Sequence, residues 1–226
     1  MDRATGERTM TNATSAFKSP LHKMTQTSPT VLWNDSASVD ELRYSIENGA
    51  VGATCNPVIV LSVLKKELKN WKDRIRTLLT EMPTATEDEI AWQVVREISK
   101  TAARELVPIF ESQKGKNGRL SIQTDPRLYR NTRAILDQTI EFSKLAPNII
   151  VKIPATSAGI PAIEEATYLG ISINATVSFT VSQAVAVAEA VERGLKRRER
   201  ENKEIASMGP VCKNCSRSSA RWCCCR

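Results

Sequence analysis

Short runs of apolar and β-branched residues alternate with longer stretches of helical period along most of the chain. The runs read as strands at Thr30–Trp33, Val51–Cys55, Arg119–Thr124, Asn148–Pro154, Ile171–Ser178 and Glu204–Val211. Between the first two, Ser38 with Glu41 predicts a capping box that opens a helix through Leu42 and Ile46, and Asn48-Gly49 ends it. One helix is expected from Val60 through Leu64 and Leu68 to about Leu79. A longer one runs from about Glu87 to Phe110, with Ile90, Val94, Ile98 and Ala102 on one stripe. Further helices follow Asp125-Pro126, span Ile160–Leu169, and cover Val181–Lys203. Apolar strands joined by helices are parallel strands buried under crossover helices. Two architectures fit, a doubly wound sheet and a (β/α)8 TIM barrel. No Gly-x-Gly-x-x-Gly and no P-loop follows any strand, which disfavours a dinucleotide- or phosphate-binding sheet. The reading is therefore α/β: an incomplete (β/α)8 barrel with about six of eight units.

The chain of 226 residues is 41% apolar and 25% charged, enough to bury a core. No apolar run reaches the ~18 residues of a membrane span, and no secretory signal opens the chain. A cytoplasmic protein without a membrane partner is expected. The net charge is +7, but aromatic residues are only 5% and scattered, so no stacking platform supports a nucleic-acid partner. His22 is the only histidine, which argues against a histidine base or a histidine-rich metal site. Cys55 lies in the body, whereas Cys212, Cys215, Cys223, Cys224 and Cys225 crowd the end. That distribution argues against a disulfide framework. Cys212-x-x-Cys215 has metal-ligand spacing, but three adjacent cysteines do not supply a second pair, so no metal is expected. Residues 1–27 are polar with no apolar period and read as a disordered leader. Residues 28–211 read as the partial barrel and 212–226 as a Cys-rich tail.

In a barrel, polar residues at the C-terminal ends of strands carry the chemistry. The first strand ends in Asn34-Asp35 and the second in Thr54-Cys55-Asn56. The third carries Gln123 and Asp125, and the fifth holds Asn174 and Thr176 at alternate positions, hence on one face. The fourth is Asn148-Ile149-Ile150-Val151-Lys152-Ile153-Pro154, with one lysine inside an apolar strand. Desolvating an ammonium there costs several kcal/mol, which moves a lysine pKa down. A partly neutral lysine attacks a ketone and forms a Schiff base. A structural lysine that reaches the surface or meets a carboxylate is the other reading. The polar groups on the neighbouring strand ends favour chemistry.

Three stretches resemble the transaldolase family. They are Trp33-Asn34-Asp35-Ser36-Ala37-Ser38 leading to Gly49 through Pro57, Ile150-Val151-Lys152-Ile153-Pro154-Ala155-Thr156, and Ile171-Ser172-Ile173-Asn174-Ala175-Thr176. The resemblance implies a Schiff-base lysine at Lys152 and a proton-transferring aspartate at Asp35. It implies that Thr54, Asn56 and Asn174 hold a dihydroxyacetone unit, and that Thr176 helps position the catalytic water. The implied reaction moves that unit from a ketose phosphate to an aldose phosphate in the pentose phosphate pathway. No metal or organic cofactor is implied, and the partner is a phosphorylated sugar; a homo-oligomer is compatible.

Gln123 departs from the family, standing where many members place a glutamate that works through the water. Fructose 6-phosphate aldolases tolerate glutamine there, which implies a lyase as an alternative. After Val211 the resemblance stops. Arg217 lies near an expected phosphate-binding arginine, but Lys213-Asn214-Cys215-Ser216 around it does not match. The expectation is a truncated chain with a frameshifted or alternatively spliced tail. A non-catalytic relic is the competing reading, and a metal- or nucleic-acid-binding module on the basic end is a third.

Overall fold

The computed structural model describes residues 17–209, 211–214 and 221–223, the positions 212–214 and 221–223 by their backbone alone. The strands are β1 (Leu32–Asn34), β2 (Ala50–Cys55), β3 (Arg119–Gln123), β4 (Ile149–Pro154), β5 (Ile173–Ser178), β6 (Val211–Asn214) and β7 (Arg221–Cys223). They form one sheet in sequence order. Each pair from β1 to β6 is parallel, and β7 runs antiparallel to β6. The helices are α1 (Pro20–Thr27), α2 (Val39–Glu47), α3 (Pro57–Lys66), α4 (Leu68–Glu81), α5 (Glu87–Ser112), α6 (Thr132–Ser143), α7 (Gly159–Tyr168) and α8 (Val181–Arg200). Parallel strands in sequence order with helical crossovers are consistent with part of a (β/α)8 barrel.

The two faces of the sheet differ in chemistry. Ala53, Cys55, Leu120, Ile122, Ile149, Val151, Ile153, Ile173 and Ala175 join residues of the helices in one buried cluster. Strand alternation puts Thr54, Arg119, Ser121, Gln123, Lys152, Asn174 and Thr176 on the opposite face. Ser121 on β3 and Asn174 on β5 touch there, Asn174 Nδ2 donating to Ser121 Oγ at 2.9 Å. Arg119 Nη1 likewise donates to Ser172 Oγ at 3.2 Å. In a flat sheet β3 and β5 would stand about 9.6 Å apart with β4 between them. Two short side chains span that gap only if the sheet curls toward the polar face. This is the barrel interior, where alternate strands share a layer.

Several local expectations need correction. Within the stretch expected to be a disordered leader, Pro20–Thr27 is a helix. Ser19 caps it by accepting from the His22 N–H at 3.0 Å, and Pro20 supplies the preset φ of a first helical turn. This helix lies against Gly49, where a Cβ would meet Thr25 Oγ1 at 2.3 Å. The helix expected over Val60–Leu79 is two helices broken at Glu67, whose carboxylate accepts from Ser38 Oγ at 3.2 Å. The capping box expected at Ser38 and Glu41 is not made: the Ser38 hydroxyl is turned toward Glu67, and Glu41 pairs with Lys66. A capping box does form at Thr86 and Glu89. The sixth strand was expected at Glu204–Val211 but begins at Val211. Glu204 O is held by Arg198 and Ser207 O by Arg119, so these carbonyls serve a side-chain clamp rather than a ladder. The expected boundary at 211 therefore falls at the start of a strand. Residues 1–16, Cys215, Arg217, Cys224 and Cys225 lie outside the described residues. Among the described residues no helix is long and apolar enough to cross a membrane.

The turn into β3 requires glycine. Gly118 has φ +78°, and a Cβ there would sit 2.1 Å from the Phe110 nitrogen. Its N–H also donates to Val51 O at 2.7 Å, tying the turn to β2. Gly118→Ala is expected to cost more than the roughly 1–2 kcal/mol of a left-handed residue alone, because the clash is with backbone. Urea unfolding checks this; an unchanged midpoint would count against the tight approach.

Candidate active site

Three candidate residues form one row across adjacent strands. Gln123 on β3 is in register with Lys152 on β4, and Lys152 with Asn174 on β5. Parallel neighbours in register share a face, so all three project into the curled interior. Lys152 is 3% exposed and Asn174 fully buried, while Gln123 is half-buried. The strand around Lys152 is held by its own carbonyl, which accepts from Thr124 N at 3.1 Å and Thr124 Oγ1 at 3.2 Å. Thr176 follows Asn174 by two residues, is buried, and is in register with Pro154.

The first two strands add a second group. Asp35 sits exposed just past β1, and its Oδ1 accepts from Thr54 Oγ1 at 2.5 Å. Asn56 follows β2, but its Oδ1 is used in capping α3, accepting from Ile59 N at 2.9 Å. The cap fixes the orientation of the amide and leaves its NH2 free of that bond, a constraint that the sequence did not reveal. The Cys55 thiol, on the helix side of β2, is influenced by the charges of Asp35 and Lys152.

Burial pushes the Cys55 thiol up to about 11, against the lowering effects of a bond from Ser99 and of Lys152. The ordinary value is 9.0, so the folded state is favoured below pH 9 and loses that advantage as pH rises toward about 11. The stability difference between the unsubstituted protein and Cys55→Ala is therefore expected to shrink as pH rises from 9 toward 11. Urea unfolding at several pH values measures it; a constant difference would show that the thiol does not titrate in that window.

Asp125, which also stands past β3, is a structural residue. Burial alone would raise its carboxyl, but bonds from Arg127 hold it below the usual carboxylate range. Arg127 Nη2 donates to Asp125 Oδ2 at 2.7 Å, and Arg127 also pairs with Asp88. An apolar groove of about 630 Å³ lies on the helix side, lined by Leu61, Leu64, Ile75, Leu79 and Trp92. It is separate from the Lys152 row. Among the described residues no three His, Cys, Asp or Glu side chains group as a metal site would need.

Sequence reasoning missed Ser121 and Arg119. The signal was present in the alternation Arg119-x-Ser121-x-Gln123, which mirrors Ser172-x-Asn174-x-Thr176.

A parallel sheet curled toward a buried lysine, with carboxylate, amide and hydroxyl groups at the strand ends, is consistent with part of a (β/α)8 barrel that gathers its polar groups at one end. The sequence profile of the Transaldolase/Fructose-6-phosphate aldolase family matches residues 32–208, and the chain belongs to that family. All seven candidate residues lie inside the match. Among curated relatives, a transaldolase of Thiobacillus denitrificans is 34% identical over 175 residues, 74% of this chain and 48% of its own. A transaldolase of Mycobacterium tuberculosis is 32% identical over 188 residues, 80% of this chain and 50% of its own. Transaldolase 1 of Streptomyces avermitilis is 32% identical over 163 residues, 71% of this chain and 42% of its own. The chain spans about half the length of the curated relatives it matches.

Proposed function

We propose that the protein transfers a dihydroxyacetone unit between phosphorylated sugars through a Schiff base on Lys152. The observation that carries this reading is the row Gln123–Lys152–Asn174, with the lysine buried on the polar face of the sheet. The Lys152 amine attacks the C2 carbonyl of a ketose phosphate, and loss of water gives the iminium. Asp35 takes the proton from the C4 hydroxyl as the C3–C4 bond breaks, and the bond electrons pass into the iminium to give an enamine. An aldose phosphate leaves. The enamine then attacks the aldehyde of an acceptor, the proton returns, and water releases the new ketose phosphate. Thr54 orients Asp35 through its hydroxyl bond. Asn174 and the Asn56 amide hold the hydroxyls of the transferred unit, and Thr176 orients the water. The same reading places the protein in the pentose phosphate pathway and in the cytoplasm.

Gln123 favours a second reading. The resemblance allows glutamine here in a lyase, in which the enamine takes a proton at its carbon, the iminium re-forms and water releases free dihydroxyacetone from Lys152. One experiment addresses both. The protein is incubated with fructose 6-phosphate, with and without erythrose 4-phosphate. Sedoheptulose 7-phosphate formed only with the acceptor supports transfer. Free dihydroxyacetone formed without it supports the lyase. Neither product would overturn both.

A further inference from the structure

We propose that Ser121 is a positioning residue that acts on the reaction through Asn174. The inference rests on the Schiff-base reading of Lys152. Asn174 is buried and stands beside Lys152 in the sheet. Its two amide ends are treated differently. Nδ2 donates to Ser121 Oγ at 2.9 Å, while Oδ1 is buried with no hydrogen-bond partner. A buried acceptor left without a donor is rare in a folded protein and calls for an explanation. Here the explanation is a ligand hydroxyl that arrives with the substrate and completes it.

An amide with one end tethered and one end open can serve such a ligand only if its plane is fixed. Torsion about the Asn174 side chain is soft and roughly two-fold. Neither β4 nor β5 offers a hydroxyl to Nδ2. Ser121 does so from β3, reaching over β4, and it is itself fully buried. Its short side chain on a strand leaves little freedom of its own, so the curl of the sheet sets the direction of the open carbonyl. The tether thus costs the binding group none of its orientation when substrate enters, which is where pre-organisation raises a rate.

The test is a double-mutant cycle on the whole chain, read as the rate at which fructose 6-phosphate and borohydride modify the Lys152 peptide. Ser121→Ala is expected to slow adduct formation about tenfold. In an Asn174→Ala background the same substitution is expected to have no further effect, because the group through which it acts is gone. Ser121→Thr, which keeps the hydroxyl, is expected to restore the rate; should the added methyl not fit, the cycle decides alone. A rate unchanged by Ser121→Ala, or slowed equally in both backgrounds, would overturn the inference and leave the Schiff base standing. No adduct in the unsubstituted protein would overturn the Schiff-base reading and this inference with it.

Discussion

Lys152→Met is expected to abolish the borohydride-trapped adduct with fructose 6-phosphate in a variant that still folds. Lys152 is 3% exposed, so its ammonium is held away from water. Burial favours the neutral amine, and only the neutral amine attacks a carbonyl. Methionine fills a similar length without charge. Lost labelling in a variant that still melts cooperatively therefore assigns the chemistry to the amine. A residue kept for packing would show the opposite pattern, with stability lost and labelling unmoved. Peptide mass mapping and thermal melts on the same samples separate the two. Adduct persisting on another lysine of the variant would refute the assignment.

Asp35→Asn is expected to lower turnover by roughly 10²–10⁴-fold, the usual worth of a positioned general base, with a small change in KM. Asparagine keeps the shape and can still accept the Thr54 hydroxyl bond, so the loop stays in place. What it loses is the ability to hold a proton. Asp35 is exposed, so the exchange should not disturb the core. Turnover reduced less than threefold in a folded variant would remove Asp35 from the proton transfer. A raised KM with unchanged turnover would make it a binding group instead.

Much of this arrangement was legible because strands announce themselves by alternation. Arg119-x-Ser121-x-Gln123 and Ser172-x-Asn174-x-Thr176 state which side chains share a face. The lysine in β4 was visible as a charge among Ile149, Ile150, Val151 and Ile153. The features that were not legible depend on partners distant in sequence. Ser38 and Glu41 have capping-box spacing, yet Ser38 bonds Glu67 and Glu41 pairs with Lys66, partners that no local pattern brings beside them. The helix before β1 depends on its packing against Gly49 as well as on its cap. The start of β6 moved because two arginine contacts claim the carbonyls before it. The Ser121–Asn174 bond joins residues 53 apart in sequence, and no pairing rule for adjacent strands would find it.

The division of the sheet into an apolar and a polar face also restricts how the chain can vary in length. Along β4 the side chains alternate strictly, with Ile149, Val151 and Ile153 in the helix-facing cluster and Lys152 turned to the interior. Deleting one residue before Lys152 would turn the ammonium into the oily layer and an isoleucine or valine into the reaction chamber. Stability and chemistry would fail in the same event, so neither could be repaired without the other. The break between α3 and α4 carries no such alternation, and an added residue there disturbs the Ser38–Glu67 bond without changing which face a strand side chain takes. Viable insertions and deletions should therefore collect in the helical layer, and the strands should vary by substitution alone. A library of single-codon deletions scored for soluble expression and for Lys152 labelling would show the strands losing both properties together.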